Sequence, residues 1–300
     1  MFEVGQKVRV SLAESVSCRA MIATSNEDDD TYDIIYSISG CMTEENRVIK
    51  SRISNLQWFE LNKFDGDPLS GKEFGNTLFQ LKDFDSAIEY YSKSLAIIAP
   101  SALQVGGRAL VLTNGLCPIS VTIAEVSART CDVLFDRPVE GKDEENDVPN
   151  LNIVTVANEN HIPLQAALFM NLARSYLKLK RNGWAIRFCT LAIGLLSSDA
   201  AAHMDYLPKL KDAYLFRSKA FLIAHRPGRA LQDSIELNSL GDISRAEGLK
   251  QQIECYKFNR RKEDRKLAKE VAKWVQSALE ISESKREADI DIDAIILDDI

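Results

Sequence analysis

Three pairs of small residues, each pair twelve positions apart, constrain this chain more than any other feature: Gly75 and Ala87, Ala173 and Ala185, Ser218 and Ala230. A bulky residue follows the first member of each pair by three: Leu78, Tyr176 and Phe221. Small side chains are needed where antiparallel helices cross closely, and a large neighbour fills the adjoining hole. The surrounding pattern agrees. Phe74, Leu78 and Leu81, then Ala87, Ile88, Tyr91 and Leu95, fall at three- and four-residue spacing, which predicts two amphipathic helices joined at Lys82-Asp83. From Pro163 the chain reads helical to about Ser284, with breaks near Arg181-Asn182-Gly183, Ser197-Ser198-Asp199, Arg226-Pro227-Gly228 and Gly241-Asp242.

Two other stretches read as short strands. Residues 4–57 contain Val8, Val10 and Leu12 in alternation, then Ala20-Met21-Ile22-Ala23, Tyr32-Asp33-Ile34-Ile35-Tyr36 and Arg47-Val48-Ile49. Residues 105–156 contain Ala109-Leu110-Val111-Leu112, Ser120-Val121-Thr122-Ile123, Cys131-Asp132-Val133-Leu134-Phe135 and Leu151-Asn152-Ile153-Val154. The second stretch repeats the first. Val4-Gly5 matches Val105-Gly106 and Ile22 matches Ile123, both at an offset of 101. Tyr32 to Tyr36 matches Cys131 to Phe135 at 99, and Glu44-Glu45-Asn46 matches Glu144-Glu145-Asn146 at 100. Several matches in order at near-constant offset argue for two related small barrels.

The helical spacing resembles the tetratricopeptide repeat, a helix-turn-helix unit of 34 residues. The first copy (Gly75-Asn76, Phe79, Phe84, Ala87, Tyr91) and the second (Asn171-Leu172-Ala173, Tyr176-Leu177, Ala185) carry the pattern well. The third departs from it, with Pro227 where an aromatic is usual and Leu237 where alanine is usual. Ala87 and Ala185 are 98 residues apart, so the second strand-rich stretch is an insertion between repeats one and two. That stretch and the N-terminal one resemble the Tudor-like branch of small SH3-like barrels. The fold class expected is α+β: an α-solenoid of tetratricopeptide hairpins with an N-terminal small β-barrel and a second, related β-barrel inserted after the first repeat. The boundaries expected are 1–60 and 101–160 for the barrels, 69–100 for the first repeat and 161–240 for the second and third. A capping helix follows at 241–286, then an acidic tail at 287–300, expected to hang free or pack weakly.

Composition removes several function classes. The formal charge is -7, from 37 basic and 44 acidic residues, which speaks against a nucleic-acid binder working through bulk charge. No run of about 18 apolar residues occurs, and the first residues lack a basic segment followed by a greasy one, so neither a membrane span nor a secretory signal is expected. Six cysteines are scattered without a Cys-x-x-Cys pair, as in a reducing, cytoplasmic protein without a zinc framework. Phosphate-cradle, nucleophile-elbow and zinc-protease motifs are missing, and His161, His203 and His225 have no partner pattern. No enzyme, cofactor, metal or small-molecule substrate is expected.

The resemblance implies a site instead. A subset of tetratricopeptide proteins grips the acidic C-terminal tails of heat-shock chaperones, ending in Glu-Glu-Val-Asp, through a carboxylate clamp. Lysine and amide donors on the leading helices converge on paired carboxylates. The family's lysine four residues before an asparagine is matched by Lys72 and Asn76, one helical turn apart, and its second-repeat asparagine by Asn171. The competing structural reading is that Asn76 and Asn171 bond backbone or each other across the repeat stack and that Lys72 is merely solvated. In the third repeat the family's lysine and arginine positions hold Asp212 and Phe216. Lys211 and Arg217 are each displaced by one residue, about 100° around a helix. Asp212 would repel an incoming carboxylate. The expected function is a non-enzymatic adaptor, co-chaperone-like, with peptide-binding residues Lys72, Asn76, Asn171, Lys211 and Arg217. The competing readings are a Tudor-type reader and a scaffold subunit of a larger assembly. For the reader, Tyr32, Tyr36, Trp58 and Phe59 are the candidate aromatic cage, incomplete near Ser17-Cys18. The basic helix from Lys257 to Lys273 reads as solvated, with Trp274 and Leu279 as its anchors.

Overall fold

The structure, a computed structural model, describes residues 2–297 except 13–15, 27–28, 39–40, 58–59, 61–65, 100–101, 113–117, 140 and 200–205, with backbone alone at 38, 198–199 and 281–297. Two five-stranded antiparallel sheets and a run of helices make a mixed α+β chain. The first sheet holds β1 (Lys7–Ser11), β2 (Ser17–Asn26), β3 (Thr31–Ile38), β4 (Cys41–Ile49) and β5 (Ile53–Asn55), in the order β4-β3-β2-β1-β5. The second holds β6 (Arg108–Val111), β7 (Ile119–Val126), β8 (Thr130–Val139), β9 (Lys142–Pro149) and β10 (Ile153–Thr155), in the order β10-β6-β7-β8-β9. In each, four strands meander and the fifth returns beside the first.

The duplication extends to backbone detail. Gly5 and Gly106 both take left-handed φ angles (83° and 79°) and donate N–H to Ile22 O and Ile123 O at 2.8 Å. The register slips after Ile22 in one sheet and after Ile123 in the other. Arg47 and Asp147 share φ = 57°, and their N–H groups donate to Asp33 Oδ1 (2.8 Å) and Asp132 Oδ1 (2.9 Å). A 3₁₀ turn precedes the last strand in both, at Lys50–Arg52 and Asn150–Asn152. Closed barrels were expected, but β4 and β5, like β9 and β10, are sheet edges, and no pairing between them is present among the described residues.

Three helical hairpins follow the sequence spacing: α1 (Pro68–Gln80) with α2 (Phe84–Ile98), α3 (Ile162–Lys178) with α4 (Asn182–Asp199), α5 (Leu207–Ile223) with α6 (Pro227–Ser239). All six small residues of the twelve-residue pairs are buried at the helix crossings. Each hairpin turns the same way. Lys82, Lys180 and His225 take φ angles of 64°, 60° and 59°, and Gly241, before the last helix, takes 76°. At all four turns this residue and the next donate N–H back to the preceding helix: Lys82 to Phe79 O and Asp83 to Leu78 O, Gly241 to Asn238 O and Asp242 to Leu237 O. That is a left-handed cap satisfying the orphan carbonyls. Asp67 caps α1 through its carboxylate, with Pro68 at the first position, where its missing N–H costs nothing.

Both sheets are fastened to helices. Arg9 of β1 pairs with Asp83, the N-cap of α2, and with Glu60 at 2.5 Å, all three nearly inaccessible. Ser17 Oγ donates to Leu81 O at 2.6 Å. Pro118 lies against Gly194 of α4, and Gln165 of α3 bonds Thr155 O and Ala157 N.

Packing divides the chain into Met1–Ala246 and Glu247–Ile300. The last helix, α7 (Ile243–Leu297), is one continuous helix of 55 residues. The segment expected as a free tail is therefore helical as far as Leu297. Trp274 and Leu279, expected as anchors, are 72% and 58% exposed. None of the described helices is long and apolar enough to cross a membrane.

Candidate functional site: a cationic hollow on the leading helices

The leading helix of each hairpin packs on the next, α1 on α3 and α3 on α5. Their shared face holds a hollow of about 300 Å³ lined by Lys72 and Asn76 from α1, Asn171, Arg174 and Met170 from α3, and Lys209 and Asp212 from α5. Lys72, Asn76 and Asn171, named from sequence, thus converge. The helical period explains it: residues four apart on α1 share a face, as do Asn171 and Arg174, three apart on α3.

The asparagines are coupled to each other. Asn171 Nδ2 donates to Asn76 Oδ1 at 3.0 Å, and the Tyr91 hydroxyl donates to the same oxygen at 2.9 Å. The bond between asparagines expected on the structural reading is therefore present. Burial pushes the Tyr91 hydroxyl well above its ordinary pKa, which keeps it a donor. With its oxygen occupied twice, Asn76 offers the hollow its N–H₂ group. The amide pair orients one donor rather than cancelling it.

Two cations come from positions not named from sequence. Arg174 has a buried Nε without a hydrogen-bond partner, and its guanidinium lies 4.7 Å from the ring centroid of Phe216. Phe216 stands where the clamp pattern places an arginine, so the ring forms a platform for an arginine arriving from the neighbouring helix. Lys209 precedes Asp212 by three residues and shares its face. Among the described residues, Lys72, Arg174 and Lys209 have no carboxylate partner. Asp212, expected to repel an anion, accepts a 2.7 Å bond from Arg245 Nη1.

The other two named residues lie elsewhere. Arg217 is fully buried, bonded to Asp233 at 2.6 Å through Nη2 and to Thr190 Oγ1 at 3.3 Å. Its charge is spent inside the protein on Asp233, where burial pushes the carboxyl up to about 6 against the lowering effect of Arg217. One residue of displacement turned it from the groove into the core. Lys211 is half-buried on α5 and does not line the hollow. Spacing along α3 and α5, one turn from Asn171 and Asp212, was the signal that would have found Arg174 and Lys209.

A second, larger space of about 680 Å³ joins the hollow at Lys72, Ala167 and Lys209 and is lined by Leu69, Ile97, Ile98, Pro163 and Leu164 and also by Asp67, Asn158, Asn160 and His161. Leu69 and Ile97 are 56% and 44% exposed there. The groove therefore runs from a compartment with an apolar patch into a cationic one.

Among the described residues the first sheet shows no comparable site. Tyr32 is 1% exposed, packed edge-on against Phe2 at 5.6 Å, so it belongs to the core and not to a cage. Trp58 and Phe59 lie outside the described residues.

No family model and no curated protein matches the chain. Among solved structures, the first TPR of Spaghetti (RPAP3) bound to the Hsp90 peptide SRMEEVD is 18% identical, covering 63% of this chain and 90% of that one, with a TM-score of 0.35. The Arabidopsis OM64 TPR domain is 15% identical, covering 63% and 95%, with a TM-score of 0.34. The Hsp90 co-chaperone Cns1 from Saccharomyces cerevisiae is 16% identical, covering 70% of this chain and 47% of that one, with a TM-score of 0.40. Similarity at this level leaves the ligand open.

Proposed function

We propose that the chain is a non-enzymatic adaptor whose groove binds the acidic free end of another protein. The observation that carries this reading is the meeting of Lys72, Arg174 and Lys209, none paired with a carboxylate among the described residues, with the amides of Asn76 and Asn171 in one hollow. Three cations against the one carboxylate of Asp212, itself bonded to Arg245, leave the hollow net positive, and charge-assisted bonds to carboxylates are the interactions its donors can make. The apolar patch of the adjoining compartment takes a nonpolar side chain from the same peptide. A chain end with carboxylates beside an aliphatic residue has the required chemistry, and the Glu-Glu-Val-Asp tail of heat-shock chaperones is the candidate that the sequence resemblance supplies.

The test is calorimetric titration of a free-ended peptide ending Glu-Glu-Val-Asp, and of its C-terminally amidated form, into wild type, Lys72→Ala and Arg174→Ala. A charge-assisted bond contributes about 1.5–3 kcal/mol, so each substitution should weaken binding by at least about tenfold. Amidation should do the same. Equal affinity for wild type and both variants, or no binding by wild type, would remove the proposal.

A further inference from the structure

The helix α7 carries more positive charge than its own acids take up. Residues 257–273 hold eight basic and three acidic side chains, a charge of +5 in a chain whose total is -7. A merely solvated face pairs its charges three or four residues apart, and three of the eight cations do so. Lys257 pairs with Glu254 at 2.8 Å, Arg260 with Asp264 at 3.4 Å, and Lys266 with Glu270 at 3.9 Å. Arg261, Lys262, Arg265, Lys269 and Lys273 are exposed and make no ion pair among the described residues.

These cations share one face. At 100° per residue, the five and Lys266 fall within an arc of about 140°, and no acidic residue from 257 to 279 falls inside it. Arg261 and Lys273 are about 18 Å apart along the axis. Phe258 lies in the middle of the same arc, one turn before Lys262, and is 69% exposed. It lines one space of about 870 Å³ with Arg261, Lys262, Arg265, Lys266 and Lys269, together with Asn259 and Glu263.

A row of cations one turn apart beside an uncovered aromatic ring matches an anionic backbone that carries flat bases, since cations meet phosphates and the ring takes a base. An acidic polypeptide would engage the cations alone. An anionic membrane would take the apolar side of the helix, Leu267, Val271 and Trp274, which lies opposite the basic arc and between Glu270 and Asp264. Lipid contact would then press carboxylates into the headgroups and turn the cations away. We propose that the basic face of α7 binds single-stranded nucleic acid, with Arg261, Lys262, Arg265, Lys269 and Lys273 on phosphates and Phe258 stacked on a base. This surface is separate from the peptide groove and does not depend on it.

Fluorescence anisotropy of a labelled oligouridylate, about twelve nucleotides long, titrated with the full chain tests the proposal. With five phosphate contacts, the logarithm of the binding constant should fall against the logarithm of salt with a slope of about -3.5, a loss of about a hundredfold between 50 and 200 mM. Lys262→Gln/Arg265→Gln/Lys269→Gln should cost about a hundredfold at 0.1 M salt and flatten the slope to about -1.4. The three positions are exposed, so far-ultraviolet circular dichroism should show the helix kept. Phe258→Ala should weaken binding about tenfold or more with the slope unchanged. No binding by wild type at low salt, or binding that the triple substitution leaves intact, overturns the proposal. Full affinity in Phe258→Ala, with polyglutamate displacing the oligonucleotide at equal charge concentration, overturns it in favour of an acidic polypeptide. Tighter binding to phosphatidylserine vesicles than to the oligonucleotide overturns it in favour of a membrane.

Discussion

Replacing Gly75 by alanine tests the hairpin crossing and the site together. A β-carbon at Gly75 would stand 2.4 Å from Tyr91 Cε1, 2.6 Å from Cδ1 and 2.9 Å from Cζ. Carbon–carbon contact prefers about 3.5–4.0 Å, so the ring must withdraw by about 1 Å. Tyr91 is 1% exposed, in a core with Leu78, Ala87, Leu168 and Leu172, and cannot move without displacing them. Overpacking of this kind costs about 1–3 kcal/mol. Against it stands the ordinary gain of glycine to alanine inside a helix, about 0.5–1 kcal/mol. The net expectation is a loss of about 1–2 kcal/mol in urea unfolding at 25 °C. Gly183→Ala, in the first turn of α4 with no atom within 4 Å of the added carbon, is the comparison and should be neutral or mildly stabilising. The site responds as well. Moving the ring pulls the Tyr91 hydroxyl from Asn76 Oδ1, 2.9 Å away, and frees the Asn76 amide to rotate. Affinity for the acidic peptide should therefore fall although Gly75 touches no ligand. If Gly75→Ala proves as stable as Gly183→Ala, the close crossing is not what the glycine serves.

Tyr91→Phe separates the hydroxyl from the packing: a loss of about 0.5–1.5 kcal/mol in unfolding free energy is expected, with peptide affinity reduced and the thermal transition still cooperative. Arg217→Met leaves the Asp233 carboxylate buried without its partner and should cost about 3–5 kcal/mol, whereas Arg217→Met/Asp233→Leu should recover most of it; comparable losses in both would refute the pairing. Asp233 titrates near 6 when folded against a carboxylate's ordinary 3.8, so the folded protein holds that proton more tightly. Its contribution to stability is full below about pH 4 and is lost as pH rises through 6; denaturation from pH 4 to 7 should show wild type losing stability relative to Asp233→Asn. Lys82→Gly relieves a left-handed side-chain residue at φ = 64° and should raise the unfolding midpoint by the equivalent of about 0.5–1 kcal/mol.

Much of this architecture is legible along the chain because its causes are local. A twelve-residue interval between small residues carries the chain through one helix, a turn and back to the same crossing, so the hairpins can be read without knowing their surroundings. The matching offsets near one hundred work the same way, since Gly5 with Gly106 and Asp33 with Asp132 impose the same turns wherever they occur. What no local pattern carries is the fate of a long charged side chain. Arg217 is read from sequence as a groove cation, and Arg174 is passed over. One is neutralised inside the core by Asp233 from the next helix, and the other is carried into the groove over Phe216 from a neighbouring helix. Asp212, read as a repulsive intruder, accepts a bond from Arg245, 33 residues away, which Asp242 shares. The sequence by itself determined which segments are helix, strand and turn as far as about Ser284, and that two of the segments are copies. Only the tertiary structure decided which charges reach the hollow, because a charge is placed by groups a few ångströms away that can lie anywhere in the chain.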